Sequence, residues 1–79
     1  MIKVLFFGPV AERAGAREAG VEFHAGMRVQ DVRTKLQGLY PAAFEMVCFA
    51  AVNGEHVRDM SLPLADNSEV VFMSKYSGG

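Results

Sequence analysis

The sequence predicts an α+β roll, a mixed sheet of four to five strands covered by one main helix. Three observations lead there: an opening apolar run at 2–7, one stretch of helical periodicity at 29–39, and two strand-like runs joined by Asn53-Gly54 ahead of a closing apolar run at 69–73. With a single long helix, only one face of the sheet is covered by a second layer, and the first and last strands are expected side by side in its middle.

The opening residues Ile2-Lys3-Val4-Leu5-Phe6-Phe7 carry β-branched and aromatic side chains on both alternating faces, the pattern of a central strand covered on both sides. Gly8-Pro9 breaks the run, and residues 10–14 can form a helical turn closed by Gly15. Gly20 then punctuates the chain before Val21-Glu22-Phe23-His24, whose alternation fits a half-exposed strand antiparallel to the first. Val29, Val32, Leu36 and Leu39 recur at spacings of three, four and three among polar residues, which defines one apolar helix face. Asp31 suits the positive end of that helix, and Gly38 and Pro41 mark its close. No Ser, Thr, Asp or Asn precedes Val29 to act as N-cap.

Residues 42–46 add a further helical turn, and 47–52 read as a strand. Asn53-Gly54 is a two-residue hairpin signal, because a type I′ turn needs positive φ at both positions. Residues 55–58 return as its partner, Leu62-Pro63-Leu64 is an apolar connector, and Asp66-Asn67-Ser68 turns the chain into the last strand. The folded domain is thus expected over 1–73, with a flexible tail over 74–79.

Seventy-nine residues make one domain near the lower limit for an unstapled core. A hydrophobic share of 51% beside 22% charged residues excludes a disordered chain, and no apolar run approaches the ~20 residues of a membrane span. The opening lacks a signal-peptide pattern, so a cytoplasmic protein is expected. Net charge −1 with the signs interspersed offers no footprint for nucleic acid or anionic membrane. A single cysteine, Cys48, lies in an apolar run and is expected to be buried and inert. His24 and His56 fall at strand positions without a partner acid, and no Cys/His spacing suggests a metal site.

The remaining stretch is Ser77-Gly78-Gly79. Two glycines make a thread thin enough for a channel that excludes any side chain. At a usage of ~7% glycine, two closing glycines arise by chance about half a percent of the time, so a frayed end explains them poorly. The reactive group would then be the terminal carboxylate of Gly79.

The opening strand, the Ala51-Val52-Asn53-Gly54 hairpin, Pro63-Leu64, Glu69-Val70 and the terminal Gly78-Gly79 together resemble the small subunits of molybdopterin synthase, among the β-grasp, ubiquitin-like sulfur carriers. The resemblance covers essentially the whole chain. Two departures stand out: Asn67-Ser68 replaces a common Gly-Asp turn, and Ser74-Lys75-Tyr76 stands where members carry two prolines.

The resemblance implies a β-grasp fold and a carrier without catalysis or bound cofactor of its own. An E1-like adenylating enzyme would use ATP to activate Gly79, a sulfur donor protein would supply the sulfur, and the large subunit of molybdopterin synthase would receive it. Gly78 and Gly79 would carry the chemistry. An apolar patch with Phe7 and Phe72 would meet partners, the alternative being that both rings are core. Lys75, Tyr76 and Ser77 would complete the contact, with Lys75 pairing with an acid or a nucleotide phosphate and Tyr76 anchoring the tail. Three rivals stay open: a carrier for thiazole synthesis, a ubiquitin-like modifier joined to lysine through Gly79, and a β-grasp binding module with an inert tail.

Overall fold

The opening apolar run becomes strand β1 (Ile2–Phe6) in a computed structural model that describes residues 1–75. Helix α1 (Gly8–Ala14) follows, closed by Gly15 in the left-handed region, whose N–H bonds the Ala11 carbonyl. The chain continues through β2 (Glu18–Val21), α2 (Val29–Leu39), α3 (Pro41–Phe44), β3 (Val47–Val52), β4 (Glu55–Val57) and β5 (Glu69–Ser74). The five strands form one sheet in the order β2-β1-β5-β3-β4. Strand β1 pairs antiparallel with β2, as expected, and the first and last strands meet near the centre, also as expected, in a parallel pair.

Even-numbered positions of β1 and β5 supply the core. Ile2, Val4 and Phe6 from β1 and Val70 and Phe72 from β5 are fully or almost fully buried beneath the helices. Val29, Val32 and Leu36 bring the apolar face of α2 onto them, each completely buried and worth about 1.5–3 kcal/mol in transfer terms. Leu39, expected on the same face, is instead 63% exposed. Tyr40 takes its place against the core, its ring edge-on to Phe6 at 5.5 Å. Phe44 of α3 meets Phe6 at 6.2 Å and Phe72 at 5.1 Å, also edge to face.

The missing N-cap of α2 has a tertiary explanation. The first amides, of Val29 and Gln30, donate to the carbonyls of Leu62 at 3.1 Å and Met60 at 2.8 Å, while the Asp31 carboxylate accepts the Arg28 N–H at 2.8 Å. The Arg28 guanidinium can only donate, and it reaches the Ser61 carbonyl. The 60–62 connector thus does the work of a cap.

Four further expectations need correction. Strand β2 lies at Glu18–Val21 rather than 21–24, because the Phe6 N–H bonds the Arg17 carbonyl at 2.8 Å and this fixes a register with Val21 opposite Ile2. Gly20 therefore sits inside the strand, and His24 lies in the following turn. Cys48 is exposed, since a β-bulge between Val47 and Phe49 breaks the alternation that would have turned it inward. Strand β5 continues to Ser74, one residue past the expected boundary, because Ser74 pairs with Val47.

The hairpin is as the sequence implies. Asn53 and Gly54 have φ of 49° and 86°, the positive pair that a type I′ turn requires. Asn53 also holds the start of β5, its side chain accepting the Glu69 N–H at 2.9 Å and its own N–H donating to the Glu69 carbonyl at 2.8 Å. Among the described residues no helix is long and apolar enough to cross a membrane.

Candidate functional site

The helices cover one side of the sheet only, so the odd-numbered positions of β1 and β5 face outward. Leu5 pairs with Val71 across the parallel strands, Val71 with Ala51 in β3, and Ala51 with His56 in β4, a row that crosses the sheet. Beside it Phe49 pairs with Met73. Phe49 is 43% exposed, and its ring centroid lies 5.7 Å from that of His56. Phe7, 51% exposed, extends the patch one step beyond β1 in an extended conformation.

Strand β1 was expected to be covered on both sides, and this is corrected: its outward side shows Lys3 exposed and Leu5 half-buried. The double-sided apolarity has a different origin. Strands β1, β3 and β5 carry apolar side chains both toward the helices and toward solvent, leaving a contiguous apolar face of the kind that meets other proteins. Its edge is polar, with Lys3 directly opposite Glu69 and His56 at the far side.

Of the two aromatic residues singled out in the sequence, the structure separates one from the other. Phe7 lies on the open side. Phe72 is fully buried and cannot meet a partner, because its position opposite Phe6 directs it into the core. Leu5, Phe49 and Met73 make up the face instead, with Val71, only 8% exposed, beneath them. The signal that could have found them was available: three strands apolar on both faces beside a helix layer sufficient for one.

Lys75 is exposed immediately after β5. Parallel pairing puts the end of β5 at the same end of the sheet as Phe7, so the chain leaves the strand beside the apolar face. Tyr76, Ser77, Gly78 and Gly79 lie outside the described residues. At the root of this segment the Ser74 hydroxyl is buried and has no hydrogen-bond partner among the described residues. No cluster of three or more His, Cys, Asp or Glu side chains suited to a metal ion occurs among the described residues.

The site thus consists of an apolar face and the adjoining end of β5, and among the described residues the face carries no side-chain constellation for acid–base or nucleophilic work. This architecture has known counterparts. The chain is 33% identical, over 99% of its own length and 98% of the relative's, to a molybdopterin synthase sulfur carrier subunit from Chlamydomonas reinhardtii. It superposes on the small archaeal modifier protein 1 of Methanosarcina acetivorans with a TM-score of 0.81 and 26% identity, covering 99% of this chain and 95% of that one. A chain in the complex of subunits 1 and 2 of molybdopterin-converting factor from Helicobacter pylori matches with a TM-score of 0.69 and 23% identity, over 99% and 97% of the two chains. Matching from residue 4 to residue 79, the chain belongs to the ThiS family.

Proposed function

We propose that this chain is the sulfur carrier subunit of a molybdopterin synthase, with Gly79 as the residue that bears the sulfur. The observation that carries the reading is the end-to-end identity with a carrier subunit of that enzyme. The geometry supports it: an apolar face suited to docking lies beside the strand end from which the Gly-Gly segment departs. The five residues after Ser74 span about 16 Å when extended, enough to enter a pocket while the body stays docked outside.

A carboxylate resists attack because its leaving group is poor. An E1-like enzyme would transfer AMP from ATP to the Gly79 carboxylate, releasing pyrophosphate and forming a mixed anhydride. Sulfide-level sulfur, delivered as HS⁻ or as a donor protein's persulfide with a thiol reductant, would then displace AMP and leave a thiocarboxylate. On the large subunit that sulfur would attack a carbon of the pterin precursor and displace the oxygen substituent there as its leaving group, and water would then cleave the acyl–sulfur bond, restoring the Gly79 carboxylate and leaving the sulfur on the precursor. The carrier binds no cofactor of its own in this scheme. Its face docks, its strand end aims, and the partners hold the catalytic side chains.

Likeness to a small archaeal modifier protein favours a second reading, in which activated Gly79 forms an amide with a target lysine. Intact-mass measurement separates the two after incubation with the activating enzyme, ATP and a sulfur source. Exchange of one oxygen for sulfur on a chain ending at Gly79 is the expected result. Protein-sized adducts would replace the carrier reading with the modifier one, and an unchanged mass would remove both.

A further inference from the structure

The apolar face continues past the end of β1 into a groove that the sulfur chemistry leaves unused. The groove lies between the end of β1, α1 and the turn leading to β2, and its volume of about 690 Å³ is that of an ordinary binding pocket, though it is open along one side. Phe7, Ala11 and Ala16 give it an apolar lining, and Glu12, Arg17 and Glu18 are charged residues at its border. Two carboxylates against one guanidinium leave a surplus of one negative charge. None of the three takes part in an ion pair among the described residues. The Arg17 backbone is held in place by its bond from the Phe6 N–H, so the border is tied to the sheet.

We infer that this groove is a second docking point for the large subunit, and that it takes a segment there presenting a lysine or arginine beside an apolar side chain. The inference rests on the carrier reading above. Three features support this occupant. Part of the lining is apolar, at Phe7, Ala11 and Ala16, so it gains by covering an apolar side chain. The negative surplus attracts a cation and disfavours the chain's own carboxylate-ended tail. Phe7 belongs to both the groove and the open face, so a partner seated on the face already lies against the groove.

The experiment is calorimetric titration of the full chain with the large subunit of the same organism's molybdopterin synthase, at low and high salt. Reversing both border acids, in the Glu12→Lys/Glu18→Lys variant, is expected to weaken association about tenfold at low salt and to flatten its salt dependence, with the thermal midpoint unchanged. Phe49→Asp, on the open face, should weaken binding at both salt concentrations. If the double reversal binds like the parent while Phe49→Asp does not, the groove inference fails and the carrier reading stands. Should the effect of the double reversal disappear in a chain ending at Ser74, the groove holds the tail and the inference is again overturned. Loss of the carrier reading itself would show differently, as no association by the parent chain.

Discussion

Phe72 and Met73 are neighbours in β5 that face opposite sides of the sheet. Phe72 is fully buried against Phe44, and Met73 stands half-buried on the open side opposite Phe49. Their substitutions should therefore fail in different assays. Phe72→Ala is expected to cost about 3–5 kcal/mol, a large part of the roughly 4–12 kcal/mol available to a domain of this size. Met73→Asp should leave the denaturation midpoint almost unchanged and weaken association with the large subunit at least about tenfold. Chemical denaturation and calorimetry on the same two proteins decide the matter.

Gly54 should be intolerant of side chains for a reason unrelated to space. A Cβ there would meet nothing within 4 Å, yet φ of +86° is strained for any L-residue. Gly54→Ala is expected to destabilise by about 1–2 kcal/mol, whereas Gly38→Ala, in the last turn of α2 with open space around it, should stabilise by up to about 0.5 kcal/mol. Urea midpoints of the pair provide the comparison.

The tail should be separable from the fold. Gly78→Ala is expected to unfold at the parent temperature while slowing thiocarboxylate formation or sulfur transfer at least about a hundredfold, since a misplaced reacting group loses that much. Normal transfer by a bulky residue at position 78 would refute the narrow-channel argument.

At Ser74 a buried hydroxyl has no partner among the described residues, in a place where a hydrogen bond would normally be found. Removing it should help or do no harm: Ser74→Ala is expected to change stability by between zero and about +1 kcal/mol. A loss beyond about 1 kcal/mol, measured by denaturant titration, would mean that the hydroxyl has a partner in solution.

Two exposed acids predict the acid limb of stability. The Asp66 carboxyl is held below its ordinary range chiefly by its hydrogen bond from the N-terminal ammonium, with burial opposing. That of Asp59 is lowered by the Ser61 hydroxyl first and then by the Ser61 N–H. Because the folded values lie below the unfolded ones, each contribution is present above the ordinary carboxylate pKa of about 3.9 and is lost as the pH falls through the lower folded value. Both groups are fully solvated, so the effect is small. The difference in thermal midpoint between the parent and Asp66→Asn should be steady from pH 7 to pH 5 and shrink below about pH 4.

Elements whose signal is local were legible in the sequence. The periodicity of Val29, Val32 and Leu36 gave α2, and Asn53-Gly54 gave the hairpin, because each follows from backbone geometry over a few residues. Register was not legible in the same way. The position of β2 depends on a bond between Phe6 and Arg17, and the exposure of Cys48 on a bulge that shifts β3 against β5. The layer to which each aromatic side chain belongs was hidden for a related reason. Phe7 and Phe72 seemed equivalent as aromatic residues in neighbouring strands, but the pairing of Phe6 with Phe72 puts the second ring in the opposite layer.

The parallel pairing of β1 with β5 also orders the life of the molecule. The strand that fills the gap between β1 and β3 follows the other four in chain order, so the sheet stays in two parts until β5 has been made. A message cut short before codon 69 yields a polypeptide that lacks both the Gly-Gly end and the middle of its own sheet. Under the carrier reading such a product would not occupy a partner as an empty decoy, because the strand that closes the sheet and the residues proposed to bear the sulfur are lost together.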